Sequence, residues 1–323
     1  MKNQSIKLSL KVLSLFLLSF AIVSCNKDTD SSPVPTPETN TITDVVVAGS
    51  SFSTLESAVI KADLQETLSG TGPFTVFAPD NAAFTASGIT NLDNLTAAQL
   101  ENILLYHTIG AKIEAANVPA GPNAKVITAN GDSVFVTSNA NGVFINGIQV
   151  TNADVAADNG VIHVINRVLL PPSGNTVETA VASGLDSLVK AVTTATTAMG
   201  GDPTLANTLS TAELTVFAPT NAAFTQLLSD LSLSDINDIP INTLLAVLRY
   251  HVVANRAFSS DLANGTLAML AGGNSTINLS NGTNGGPTIT GSGNSGTSSN
   301  ITATNIVTRN GVVHLIDRVL LPQ

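Results

Sequence analysis

The sequence predicts an α+β fold used twice in tandem. Three blocks of residues recur in the same order in the two halves of the chain. Within each half, helical spacing of apolar residues gives way to short β-prone runs punctuated by Asn-Gly pairs, the pattern of helices first and strands later. The length of 323 residues suits two domains of the usual ~100–200 residues each.

The repeat is read directly. Thr75-Val76-Phe77-Ala78-Pro79-Asp80-Asn81-Ala82-Ala83-Phe84 returns as Thr215-Val216-Phe217-Ala218-Pro219-Thr220-Asn221-Ala222-Ala223-Phe224, with nine of ten positions identical. Tyr106-His107 returns as Tyr250-His251, and the block from Gly160 to Pro171 returns from Gly311 to Pro322. The offset grows from 140 to 144 to 151 along the chain. The second copy therefore carries extra residues between Phe224 and Tyr250 and in the Gly/Asn/Ser/Thr-rich stretch 272–300, and both are expected as loop. The copies are expected at 41–171 and 175–322, separated by Pro172-Ser173-Gly174.

Each element has a local reason. Phe52, Leu55, Val59, Ala62 and Leu68 lie near one helical face and predict a helix over 52–68. Thr75 to Ala78 is β-prone and closes at Pro79. Asp80 in one copy and Thr220 in the other are good N-caps for the helix that carries the Ala-Ala-Phe. A second helix is expected over 95–107. From Lys125 onward the pattern is strands, with tight turns expected at Asn130-Gly131, Asn141-Gly142, Asn146-Gly147 and Asn159-Gly160.

The first forty residues read differently. Lys2, Lys7 and Lys11 precede an apolar stretch from Leu13 to Val23, a secretory leader over 1–24 that is shorter than the ~20 apolar residues of a spanning helix. It ends in Ile22-Val23-Ser24-Cys25, which resembles the lipobox of bacterial lipoproteins. That resemblance implies Cys25 as the first mature residue, carrying the lipid that holds the protein to a membrane. It also accounts for the chain's single cysteine, which can form no internal disulfide. Two or three acyl chains give the stable anchoring that one does not. Residues 25–40, with Pro33, Pro35 and Pro37 alternating, read as a tether. At ~3.1 Å per residue it reaches on the order of 45 Å from the anchor.

Composition excludes some functions. Hydrophobic residues make up 43% of the chain, with no Trp, so its cores are aliphatic with Phe as the bulky anchor. Acids outnumber Lys plus Arg by 23 to 13. Without the three leader lysines the balance falls to ten cations against 23 acids, which excludes nucleic-acid binding through a basic surface. No nucleophile-elbow, phosphate-loop or His-Glu-x-x-His motif occurs, and the chain is expected to be no enzyme.

Together, the Thr-Val-Phe-Ala-Pro-x-Asn-x-Ala-Phe block, the Tyr-His pair and the terminal Asn-Gly-Val-[Ile/Val]-His-x-Ile-[Asp/Asn]-x-Val-Leu block resemble the signature of fasciclin domains, in both copies. The resemblance implies two tandem fasciclin domains, each a β-strand wedge flanked by α-helices. It also implies an extracellular or cell-surface setting linked to adhesion and matrix contact. Asn166 departs from the Asp that the family usually has, which Asp317 keeps.

All four histidines, His107, His163, His251 and His314, fall within the repeated blocks. As metal ligands they lack a Cys or carboxylate cluster, and the favoured reading is of ring nitrogens satisfying backbone groups between helix and sheet; no metal or cofactor is expected. In animal members of the family the Tyr-His pair is associated with adhesion, which makes Tyr106, His107, Tyr250 and His251 candidate partner-contact residues. Arg167 and Arg318 are expected in ion pairs or exposed on a strand face, and Phe77, Phe217, Phe84 and Phe224 in the core. The expected function is a lipid-anchored envelope protein of the outer membrane, surface-exposed or periplasm-facing, that contacts an extracellular protein or polysaccharide. The alternative is a glycan-capturing lipoprotein that holds polysaccharide for a transporter.

Overall fold

The structure, a computed structural model, describes residues 40–118 and 121–323. The leader, Cys25 and the tether up to residue 39 lie outside the described residues. Among the described residues no helix is long and apolar enough to cross a membrane.

The first repeat opens with α1 (Ile42–Ala48), where Thr41 and Asp44 form a reciprocal capping box. The helix expected over 52–68 is two helices, α2 (Ser53–Lys61) and α3 (Gln65–Ser69). The break is at Asp63, whose φ of 56° is left-handed. There the Leu64 N–H reaches back to the Val59 carbonyl, a helix-terminating bond that turns the chain so Leu64 and Leu68 are both buried. β1 (Phe74–Pro79) leads into α4 (Asn81–Ala86), and Asp80 Oδ1 accepts from the Ala83 N–H at 2.7 Å, as an N-cap does. α5 (Ala97–Tyr106) starts at a Thr96–Gln99 capping box. The remainder is strand: β2 (Thr108–Ile109), β3 (Gly121–Ile127), β4 (Ser133–Asn139), β5 (Gly142–Ile145), β6 (Ile148–Ala157) and β7 (Gly160–Ile165).

The second repeat follows the same plan. Its helices are α6 (Thr176–Ala182), α7 (Asp186–Thr197) and α8 (Thr204–Thr211), then β8 (Leu214–Pro219), α9 (Asn221–Asp230) and α10 (Ile241–Arg249). Its strands continue as β9 (Val252–Val253), β10 (Gly265–Ala268), β11 (Asn274–Asn278), β12 (Thr288–Gly291), β13 (Ser299–Thr308) and β14 (Gly311–Ile316).

Each repeat is built on a seven-stranded mixed sheet, β2-β1-β7-β6-β5-β4-β3 in the first and β9-β8-β14-β13-β12-β11-β10 in the second. Among the described residues the only parallel pairs, β1 with β7 and β8 with β14, lie one strand in from an edge. These strands are buried on both faces, which is why they read as largely apolar runs, broken only by Thr75, His163, Thr215 and His314. Val76, Ala78 and Ile162 pack with Leu55, Phe84 and Leu104 under the helices. Phe77 and Ile165 point the other way, onto Tyr106, Val134 and Ile145. One strand thus supplies two cores by alternation.

Both extra stretches of the second copy differ from the loops expected. The first lengthens a helix: α9 has ten residues where α4 has six, about one further turn. The second, 272–300, contains β11 and β12, which complete the sheet as β4 and β5 do in the first repeat. Its Gly/Asn/Ser/Thr composition imitates a loop, but period-2 burial puts Ser275 and Ile277 inside while Asn274, Thr276 and Asn278 stay exposed. Ile277 and Ile289 alone anchor these two strands in the core.

The expected turns also divide. Asn146-Gly147 is a two-residue hairpin with both φ positive, 50° and 73°, the geometry that favours Asn-Gly. At Asn159-Gly160 the turn is one residue earlier, since Ala157 pairs with Gly160. Asn159 instead accepts the Ile42 N–H on Oδ1 at 2.9 Å, and its amide donates to the Leu68 and Gly70 carbonyls at 2.8 and 2.9 Å. Asn310 does the same for Thr176, Leu209 and Ala212. Gly160 and Gly311 are needed for close approach: a Cβ there would lie 2.2 Å from the Phe74 carbonyl oxygen and 2.1 Å from that of Leu214. Asn310→Ala leaves three backbone groups without their partner, so a loss of about 2–3 kcal/mol is expected. Urea denaturation checks this, and a change below about 0.5 kcal/mol would contradict the stapling role.

The repeats dock asymmetrically. The segment after β9 of the second repeat lies against β4 of the first. Phe258 meets Phe135 with ring centroids 6.0 Å apart, and the Arg256 guanidinium sits 4.0 Å from the Phe135 centroid. Asn123 donates to the Arg256 carbonyl at 2.7 Å, and Thr137 to Asp261 at 3.1 Å. The face is not reused in the second repeat. Tyr106 donates to the Ser133 carbonyl and Tyr250 to that of Asn274, and this equivalence places exposed Thr276 where the first repeat has Phe135.

Candidate partner-contact surface

The Tyr-His pairs form at the ends of α5 and α10, where the helix turns into a two-residue strand. His107 Nδ1 donates to the Ile103 carbonyl at 2.7 Å and Nε2 accepts the Leu169 N–H at 2.9 Å. His251 repeats this with Val247 at 2.7 Å and Leu320 at 2.8 Å. One nitrogen donating and the other accepting defines a neutral imidazole. Burial favours that form and holds both rings at a pKa of about 4.

His163 and His314 sit on the inner strands and serve a different backbone group. Each accepts at Nδ1 from a residue in a β-bulge, Asp154 at 3.2 Å and Asn305 at 3.3 Å. Each faces a carbonyl with Nε2, Ile113 at 2.8 Å and Ala257 at 3.0 Å. Burial likewise holds His314 at about 4. All four rings are therefore at work between backbone segments. They are buried rather than half-buried, with 4% exposure or less. Among the described residues no group of three or more His, Cys, Asp or Glu is gathered as metal ligands would be.

The expectation that Tyr106, His107, Tyr250 and His251 touch a partner is corrected by this geometry. Their exposures are 0, 1, 1 and 2%, and the tyrosine hydroxyls are engaged inside the fold. Tyr106 donates to Ser133 and accepts from Asn146 at 3.0 Å, and burial pushes its pKa up to about 12. A repeated motif marks a shared structural need as readily as a shared ligand. Phe77, Phe217, Phe84 and Phe224 are buried as well.

The exposed features vary between the copies. Arg318 pairs with Asp230 at 3.7 Å, whereas its counterpart Arg167 is exposed with no ion-pair partner among the described residues. Asp317 binds the Asn300 backbone and side chain at 2.7 and 2.6 Å and so ties β14 to the start of β13; Asn166, in its place, is exposed. At the bulges, Asp154 is replaced by Asn305, whose amide donates to the Gly147 carbonyl of the first repeat at 3.3 Å. A carboxylate could not donate there. The second sheet also presents Thr266, Thr276 and Thr290 in cross-strand register, with Thr290 bonded to Ser298 at 2.9 Å. Sequence reading missed this hydroxyl row because it treated 272–300 as loop; the alternation of Asn274 to Asn278 was the available signal.

Two seven-stranded mixed sheets with flanking helices, one per repeat, define a tandem α+β module. The fasciclin domain family pattern matches residues 50–171 and 189–322, and the chain belongs to that family as a tandem fasciclin-domain protein. It is 42% identical to Protein sll1483 of Synechocystis over 145 residues, 44% of this chain and 79% of that protein. It is 39% identical to pig transforming growth factor-beta-induced protein ig-h3 over 140 residues, 43% of this chain but 20% of the relative. Human periostin matches at 30% identity over 269 residues, 80% of this chain and 29% of periostin. Among solved structures, a FAS1 domain pair from the insect cell adhesion molecule Fasciclin I aligns over 84% of this chain and 97% of its own, at 18% identity and a TM-score of 0.38.

Proposed function

We propose that this chain is a non-enzymatic, lipid-anchored envelope protein whose two fasciclin domains bind an extracellular protein or polysaccharide and so contribute to adhesion or matrix contact. The observation that carries the reading is the engagement of every histidine and both tyrosines of the repeated motifs in internal hydrogen bonds. What the described chain offers to its surroundings is a docked pair of polar surfaces. Family membership supports the reading, as fasciclin domains occur in adhesion and extracellular matrix proteins. The lipobox-like Ile22-Val23-Ser24-Cys25 supports the anchor. Deletion of the gene is expected to reduce attachment or biofilm formation; unchanged attachment on every surface tested would refute it. Labelling with radioactive palmitate, lost in Cys25→Ser, tests the anchor separately.

The alternative, capture of glycans for a partner transporter, is favoured by the hydroxyl row Thr266–Thr276–Thr290 on the second sheet. Affinity electrophoresis of the protein through gels containing polysaccharides separates the readings, because a protein-only adhesin shows no retardation.

A further inference from the structure

Between the repeats runs an open cleft of ≈ 630 Å³, walled by β6 and the Asn166–Pro171 segment of the first repeat and by α6 and β13 of the second. Its volume falls within the ~300–1,000 Å³ of ordinary ligand sites, which favour interfaces between domains. The charge of its walls is opposite to that of the chain. Acids dominate the sequence 23 to 13, yet no Asp or Glu lines this cleft and its one charged side chain is Arg167.

The one charged group in the walls has no ion-pair partner among the described residues. Arg167 is exposed and without an ion pair, while the equivalent Arg318 is matched to Asp230. Beside it the walls carry neutral donors and acceptors such as Gln149, Ser183 and Thr304, with Leu170 as an exposed apolar contact.

We infer that this cleft binds a saccharide bearing a carboxylate, a uronic acid unit of an acidic polysaccharide. The planar guanidinium of Arg167 presents parallel N–H donors that match a carboxylate in two-point contact. The hydroxyl and amide side chains match the ring hydroxyls of a sugar. A fatty acid would need an enclosed apolar tunnel, and this cleft is open with mixed walls. The inference stands apart from the adhesive reading: a strain lacking the protein could attach normally while the purified chain still bound uronate.

The test is calorimetric titration of the full chain with trigalacturonate, and with the same trimer methyl-esterified so that shape is kept and charge removed. Binding of the acid form is expected, with the ester at least tenfold weaker. Arg167→Gln is expected to weaken the acid form at least tenfold, and Arg318→Gln to leave it unchanged. Because Arg167 is exposed and unpaired, its variant should melt as the parent does, which circular dichroism verifies. No binding of the acid trimer, equal binding of the ester, retained binding in Arg167→Gln, or equal loss in Arg318→Gln would each overturn the inference.

Discussion

Lowering the pH from 7 to 5 is expected to remove about 6 kcal/mol of folding stability through three buried histidines. His107, His251 and His314 have folded pKa values of about 4, depressed chiefly by burial, against ~6.5 in the unfolded chain. The unfolded chain therefore binds protons that the fold refuses. Stability is complete above about pH 6.5 and falls as pH descends from there toward 4, where the folded rings also protonate. At pH 5 each ring contributes a loss of about 2 kcal/mol, and the total rivals the ~5–15 kcal/mol of net stability typical of a domain. Protonation also takes Nε2 of His107 and His251 away from the Leu169 and Leu320 N–H groups.

Urea denaturation at pH 7, 6 and 5 checks this loss. A stability that stays level across this range would show that the rings are not held neutral by the fold.

The second large effect concerns the joint between the repeats. Phe135→Ala is expected to cost about 3–4 kcal/mol, as large aromatic truncations at buried sites do, and to turn coupled unfolding into two separable transitions. Each repeat has its own cores, and the apolar cluster of Phe135, Phe258 and Val312 spans both. Phe135 is 9% exposed and Phe258 fully buried. Above the Phe135 ring lies Arg256, itself 4% exposed, which donates through Nη1 to the Gly311 carbonyl at 2.6 Å. A cation over an aromatic face is worth about 1–2 kcal/mol when desolvated. A double-mutant cycle of Phe135→Ala with Arg256→Gln should return a coupling of that size. Coupling near zero, with one unchanged transition in Phe135→Ala, would mean that the repeats are joined elsewhere.

The platform at this joint is not repeated. The second repeat has exposed Thr276 at the place of Phe135, and its polar Thr and Asn side chains face outward there instead.

The sequence by itself determined the α+β class, the tandem repeat, the caps at Asp80 and Thr220 and the family. These follow from local chemistry and from identity between copies, which need no knowledge of the third dimension. Periodicity alone could not see the left-handed Asp63 that splits one expected helix in two. It could not place 272–300 in the sheet either, because two isoleucines among polar residues give too faint an alternation. The Tyr-His pairs show the limit most plainly: their recurrence was legible, but only packing decides whether a repeated side chain faces solvent or closes the core. Conversely, Arg167 and Arg318 look equivalent in sequence. Tertiary structure separates them, because Asp230 lies beside one and an acid-free cleft between the repeats lies beside the other.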